Sequence, residues 1–218
     1  MNSIIKDDFK KRLQENISSY PEAKIHSAKL DLDFGFDCEN IESQLIKDND
    51  HDRVLWIGLD LQVLQTPYSE ILAMLTHANL KDGEHAIDLG AGYGRMGMVV
   101  GYLFPTLQFT GFEYVNERVL DGNKVYTQHH INNSKMIYAD LAADEFQIPD
   151  ADLYFIYDFG SKKDVYVVLE KLRVKAQSKN IQVIARGGGV RNWIIQDFPW
   201  LSQMVPYDRF EHWTLFRS

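Results

Sequence analysis

The sequence predicts a doubly wound α/β fold: a mostly parallel sheet covered by helices on both faces and closed by an antiparallel hairpin. Three observations predict it. Short apolar runs bounded by turn residues recur at His85–Leu89, Phe109–Glu113, Lys135–Ala139, Leu153–Tyr157 and Ile181–Ala185. They lack the polar alternation of a half-exposed sheet, so both faces are expected to be covered. Helical periodicity fills the gaps: Met96, Val99, Val100 and Leu103 keep i, i+3, i+4, i+7 spacing, and Val165, Leu169, Leu172 and Ala176 repeat it. After Ala185 the pattern changes. Gly187–Gly189 form a turn, Trp193–Asp197 a short helix, and Met204–Tyr207 with His212–Phe216 a closing hairpin, giving seven strands.

The segment before this alternation is of a different kind. Ile5, Phe9, Leu13 and Ile17 recur every four residues and predict an N-terminal amphipathic helix broken near Pro21. From Asp31 to Asp52 eight acids (Asp31, Asp33, Asp37, Glu39, Glu42, Asp48, Asp50, Asp52) face one base, Lys47. That stretch reads as loop, either simply solvated or a negative wall that attracts a basic substrate. A helix over Ser69–Ala78 follows, with Ser69 as N-cap and Ile71, Leu72 and Leu75 on its buried face. The expected division is an appendage, residues 1–60, able to act as a substrate lid, and a ligand-binding domain, residues 61–218.

Bulk properties narrow the class. The chain has 218 residues, 45% of them hydrophobic, enough for one large core. A net charge of −8 argues against a nucleic-acid partner, which needs basic residues to displace counterions. One cysteine, Cys38, cannot form an internal disulfide, and no leader or long apolar run is evident, so a cytoplasmic, membrane-free protein is expected.

Chemistry concentrates in Asp88-Leu89-Gly90-Ala91-Gly92-Tyr93-Gly94-Arg95-Met96-Gly97. A strand turns on glycines and enters a helix, whose N-terminus presents free N–H groups to an anion. Gly92-x-Gly94-x-x-Gly97 matches the dinucleotide fingerprint, which alone is weak evidence. Asp88 sits ahead of the first glycine, where a carboxylate repels pyrophosphate but can hold an ammonium. Glu113 ends the next strand and can accept both hydroxyls of a ribose; Asp140 follows the third and can accept from an adenine amino group. Each acid alone could be an ordinary loop carboxylate. Together they describe a site for an adenosine bearing an amino acid.

This constellation resembles the class I, seven-strand methyltransferases that use S-adenosylmethionine, over roughly Thr66 to Ser218. The resemblance implies a Rossmann-like sheet of order 3-2-1-4-5-7-6. It also implies S-adenosyl-L-methionine as cofactor. Asp88, Gly90, Gly92 and Gly94 would cradle its methionine end, Glu113 its ribose, and Asp140 with Leu141 its adenine. A weaker likeness is to seven-strand protein lysine methyltransferases. Thr66-Pro67-Tyr68-Ser69-Glu70 is similar to their cofactor-touching segment, so Thr66 and Tyr68 are expected at the cofactor. Tyr157-Asp158-Phe159 stands where they carry Asn-Asn-Phe and matches only at the aromatic.

That likeness implies a basic protein substrate and a lysine-type amine as acceptor. Tyr157, Phe159 and Tyr68 would line the channel, and Asp158 would orient the nucleophile or accept its proton; Tyr157 and Phe159 read equally well as space-filling aromatics at a sheet edge. The prolines of DNA amino-methylating enzymes are missing after the fourth strand. Asp158-Phe159-Gly160 matches the kinase metal triplet without the other kinase elements. His129 and His130 read as helix-end residues, no metal site is expected, and Arg186 and Arg191 read as loop arginines able to meet an anionic substrate. Trp193, Trp200 and Trp213 read as core. Two other functions use the same loop: an NAD-dependent oxidoreductase, and a non-catalytic adenosylmethionine-binding module.

Overall fold

The computed structural model describes residues 3–13, 17, 19–48 and 57–218. Its centre is one sheet of seven strands: β1 His85–Leu89, β2 Gln108–Glu113, β3 Ser134–Tyr138, β4 Leu153–Tyr157, β5 Gln182–Arg186, β6 Asp208–Arg209 and β7 Trp213–Arg217. The order is β3-β2-β1-β4-β5-β7-β6. β1 to β5 are parallel, while β7 runs antiparallel to β5 and to β6. Sequence and structure agree on all five parallel strands to within a residue or two. The hairpin's first strand is Asp208–Arg209 rather than Met204–Tyr207, a stretch containing Pro206, which has no N–H for a ladder.

Alternate residues of β4 face opposite layers, as the pleat requires. Leu153 and Phe155 join one apolar cluster, and Tyr154 and Ile156 the other. The first cluster is covered by α5 Tyr68–Ala78, α6 Arg95–Leu103 and α7 Asn116–Gln128, the second by α8 Lys162–Ala176, α9 Gly188–Asp197 and α10 Pro199–Ser202. α5 begins one residue earlier than expected, so Ser69 lies in its first turn and Pro67 occupies the cap position. Trp213 is core, stacked on Phe210 at 3.8 Å; Trp193 and Trp200 pack half-buried against the second cluster.

The N-terminal segment departs from expectation. α1, Ser3–Leu13, ends before Ile17, and its Phe9 and Leu13 are buried in the first cluster. Pro21 does not end that helix. It stands in the first turn of α2, Tyr20–Phe34, where its missing N–H is not needed, behind the N-cap Ser19. Left-handed Gly35 ends α2, and α3, Cys38–Asp48, follows. The acidic stretch is therefore helical as far as residue 48 except at residues 35–37; Asp50 and Asp52 lie outside the described residues.

Two of its acids are not a solvated wall but buried ion-pair partners. Asp31 receives Arg95 Nε at 3.0 and 3.2 Å, and Glu42 receives Arg118 Nε at 2.8 Å. Replacing Arg95 with Met would leave Asp31 charged and buried, so a loss of about 3–5 kcal/mol of stability is expected in urea unfolding. A loss below about 1 kcal/mol would show that the pair is not what joins α2 to α6. Among the described residues no helix is long and apolar enough to cross a membrane.

Candidate functional site

Strands β1 to β3 are laid down in one direction across the sheet, and β4 then crosses back to the other side of β1. This reversal leaves a crevice at the carboxyl ends of the strands, where open α/β sheets take ligands. A cavity of about 530 Å³ opens there. It is lined from β1's loop by Gly90 and Gly92, from β2 by Glu113, from β3's loop by Asp140 and Leu141, and from β4 by Tyr157, Asp158 and Phe159. A short helix, α4 Leu61–Leu64, with its C-cap Gln65, supplies another wall through Leu61, Val63 and Gln65.

The loop after β1 turns on Gly90, Gly92 and Gly94, at φ of +95°, +55° and +83°. Two of these positions show why no side chain is present. A Cβ on Gly94 would lie 2.3 Å from the Tyr126 hydroxyl oxygen, so Gly94 keeps α7 close. A Cβ on Gly92 would meet no atom of the protein within 4 Å, and Gly92 lines the cavity. Its bareness serves whatever occupies the cavity.

Four amides of this loop are engaged within the protein. Gly90 and Ala91 donate to Phe112 O, each at 2.9 Å, Gly94 to Ala91 O at 2.9 Å, and Gly92 to Glu113 Oε2 at 2.9 Å. These four are not free to form the amide nest that a pyrophosphate requires.

Behind the loop, Asp88 is 5% exposed, and its Oδ1 is buried with no hydrogen-bond partner among the described residues. Burial, reinforced by the nearby Glu113 charge, holds its carboxyl well above the usual range. Glu113 is better served. Its two oxygens accept from Gly92 N and Val115 N, each at 2.9 Å, and Arg118 stands 3.6 Å away. Burial still raises its pKa, against the opposing pull of Arg118 and those amides.

Arg118 in turn makes a two-pronged contact with Glu42, at 2.8 and 3.2 Å, and Tyr93 donates to the same carboxylate at 2.9 Å. Glu42, Tyr93 and Arg118 all line the cavity, so α3 reaches the site through Glu42. Tyr114, the residue after Glu113, lines it as well.

The side chains expected to handle an acceptor are distributed differently. Phe159 lines the cavity; a Cβ on Gly90 would lie 2.9 Å from its Cβ. Tyr157 donates to Val63 O at 2.9 Å, tying α4 to β4, and carries the Arg186 guanidinium 4.5 Å above its ring. Asp158 accepts from Gly189 N at 3.2 Å and Val190 N at 2.7 Å, capping α9. Arg186 is buried against Glu70, and Arg191 donates to Thr214 and two backbone carbonyls, so neither is a loop arginine available to a substrate.

Two residues expected at the cofactor lie elsewhere. Tyr68 is fully buried, with its hydroxyl on Asp31 at 2.9 Å and its amide on Ser27 Oγ at 3.1 Å. Thr66 is buried too, and its carbonyl accepts from Arg95 at 3.2 Å. The start of α5 turns both inward, away from the cavity. The residue just before that segment, Gln65, lines the cavity, and no sequence motif singles it out. The same holds of Tyr93, Tyr114 and Arg118 as lining residues, and Glu42 stands out in the sequence only as one acid among eight. No group of side chains able to hold a metal ion occurs among the described residues.

No protein-family model matches the sequence, and no curated protein matches it. Solved structures do resemble it. The RNA methyltransferase of Salinibacter ruber, solved with S-adenosyl-L-homocysteine, is 20% identical; the likeness covers 70% of this chain and 91% of that one, with a TM-score of 0.51. The precorrin-6y C5,15-methyltransferase of Geobacter metallireducens GS-15 is 15% identical over 73% of this chain and 91% of its own, at a TM-score of 0.55. TrmN of Thermus thermophilus is 12% identical over 70% of this chain, at 0.51, and the match spans 48% of TrmN. At these identities the likeness is one of fold. In strand order, in its antiparallel last pair and in these resemblances, the chain has the seven-strand fold of the class I, S-adenosylmethionine-dependent methyltransferases.

Proposed function

We propose that the protein is an S-adenosylmethionine-dependent methyltransferase whose cofactor lies across the carboxyl ends of β1, β2 and β3. The observation that carries this reading is Asp88: a buried carboxylate oxygen without a partner among the described residues, behind a glycine loop in which the amides of Gly90, Ala91, Gly92 and Gly94 are engaged. A bare buried carboxylate is costly unless a cation meets it. The ammonium of a methionine moiety fits it, and the pyrophosphate of a dinucleotide does not. Glu113 keeps lone pairs on both oxygens for ribose hydroxyls, and Asp140 and Leu141 stand beyond it where an adenine would end.

A bound S-adenosylmethionine would supply an electrophilic methyl on a sulfonium sulfur, open to in-line displacement. This chain's residues would then fix the ligand's two ends, hold the acceptor in line and exclude water. α4 and Phe159 provide the apolar walls for that exclusion. A purely binding module would need the same cofactor contacts but no acceptor entrance. Transfer of labelled methyl from the cofactor therefore decides between the two.

The acceptor favoured within this reading is a lysine-type amine on a protein, and the charge of the lining supports it. Glu42, Glu113, Asp140, Asp158 and Asp164 line the cavity. Among the described residues its one lining cation, Arg118, is paired with Glu42 and Glu113. Such a wall suits a basic or neutral acceptor better than a polyanion. An RNA acceptor, such as the Salinibacter ruber enzyme's name states, is the reading to set against it. Asp158 is occupied as a cap by two amide donors, so Phe159 and the acidic lining are the parts of the amine reading that the geometry supports. Incubating a cell lysate with enzyme and labelled cofactor tests this: protease-sensitive label supports a protein acceptor, and ribonuclease-sensitive label overturns it.

Glu113→Ala is expected to weaken S-adenosylhomocysteine binding by about 30- to 150-fold, the loss of charge-assisted bonds to two hydroxyls. It should also lower the melting temperature, because Gly92 N and Val115 N lose their acceptor. Unchanged affinity in calorimetry would place the ribose elsewhere.

A further inference from the structure

One wall of the cavity, at Asp140, Leu141 and Ala142, is made of chain without helix or strand. It belongs to the connection between β3, which ends at Tyr138, and β4, which begins at Leu153. Backbone carbonyls in such turns need donors that no ladder supplies. Part of the set is local. Ala142 N donates to Asp140 Oδ1 at 3.1 Å, Ala143 N to Asp140 O at 3.2 Å, and Phe146 N to Ala143 O at 3.2 Å. Leu141 and Ile148 are buried, and the Phe146 ring meets Phe112 of β2 edge-on at 5.2 Å.

A further donor comes from α8. Lys171 Nζ reaches Ala143 O at 2.6 Å and Leu141 O at 3.5 Å, and it stands 5.6 Å from the centre of the Phe146 ring. The spacing along α8 explains how. Asp164, Val168, Lys171 and Lys175 stand at i, i+4, i+7 and i+11 and share one ridge of the helix. Asp164 lines the cavity, Val168 is buried, and Lys175 donates to Asp150 at 2.7 Å. The ridge therefore follows the β3–β4 connection from the cavity outwards, and Lys171 grips it directly behind the wall. Lys171 itself does not line the cavity.

We infer that Lys171 is a positioning residue for base selectivity: by holding Leu141 O and Ala143 O it fixes the wall that meets the base of the bound nucleoside. This rests on the methyltransferase reading, in which that base is adenine. A carboxylate at Asp140 can accept from a 6-amino group, whereas a 6-oxo group would present lone pairs to it. How well the wall tells the two apart depends on where its backbone sits, and Lys171 sets that from behind.

The test uses the whole chain and two ligands in calorimetry. S-adenosylhomocysteine carries the 6-amino group; S-inosylhomocysteine carries a 6-oxo group and is otherwise the same. The wild type should prefer the first by at least about tenfold. Lys171→Met keeps the length of the side chain and removes the donor. It should weaken S-adenosylhomocysteine about five- to thirtyfold and the inosine analogue less than about threefold, so the preference shrinks. Lys171→Arg keeps a donor and should hold the wild-type preference within about threefold. An equal loss for both ligands in Lys171→Met would make Lys171 a packing residue, and no loss for either would free the wall from it. A wild type that binds both ligands alike, or an arginine variant as impaired as the methionine one, would also overturn the inference; all four leave the methyltransferase reading standing. Failure of the wild type to bind S-adenosylhomocysteine overturns both. A melting scan of each free variant checks that the fold is kept, and a collapsed Lys171→Met is replaced by Lys171→Leu.

Discussion

Gly92→Val is expected to abolish S-adenosylhomocysteine binding, by at least about a hundredfold, in a chain that still folds. The two effects have separate causes. Gly92 has φ of +55°, a left-handed conformation that a β-branched residue resists at a cost of about 1–3 kcal/mol. That strain should show as a lowered melting temperature, but no clash adds to it, because a Cβ there meets nothing of the protein within 4 Å. The isopropyl group projects into the space proposed for the ligand. A variant that melts somewhat lower and binds nothing supports the cradle. Normal binding with normal melting would remove the glycine loop from the site.

Asp88→Asn is expected to lose the cofactor and gain stability in the free protein. A buried carboxylate oxygen with no partner opposes folding; its neutral isostere does not carry that charge. A gain of about 1 kcal/mol would raise the melting temperature by roughly 2–4 °C for a chain of this size. The pH dependence fixes the cause. Burial and the Glu113 charge raise the folded-state pKa of Asp88 above its ordinary value, so the folded state binds this proton more tightly than the unfolded state. Wild-type stability contributed by this group is then present below the unfolded pKa and is lost as pH rises towards the folded one. Variant and wild type should melt alike near pH 4 and separate as pH increases, the variant being the more stable. A gap that is independent of pH would mean that Asp88 is not a strained acid.

Acids that close buried strands are legible in the amino-acid sequence, and the reason is geometric. In a doubly covered parallel sheet the strands are continuous apolar runs, so a carboxylate at the end of β1 or β2 stands out. The glycine loop is equally visible, because glycine at three alternate positions between strand and helix has few structural uses. What the sequence hides depends on partners far along the chain. The acids of α2 and α3 look solvated because Arg95 and Arg118, which bury Asp31 and Glu42, lie 64 and 76 residues away. Pro21 reads as a breaker because its place in the first turn of α2 depends on where the helix begins. A motif likeness puts Thr66 and Tyr68 at the cofactor, whereas both turn inward onto Arg95 and Asp31, and Gln65, the C-cap of α4, lines the cavity. Asp158 looks like a base, since a cap of α9 through Gly189 and Val190 leaves no trace at its own position.

The central claim is that the site takes an ammonium at Asp88 rather than a pyrophosphate on the glycine loop. Calorimetric titration of the wild type and Asp88→Asn with S-adenosylhomocysteine and, separately, with NAD tests it most directly. The account requires saturable one-to-one binding of S-adenosylhomocysteine to the wild type, its loss in Asp88→Asn, and no binding of NAD by either protein. Saturable NAD binding, or equal affinity of both proteins for S-adenosylhomocysteine, would contradict it.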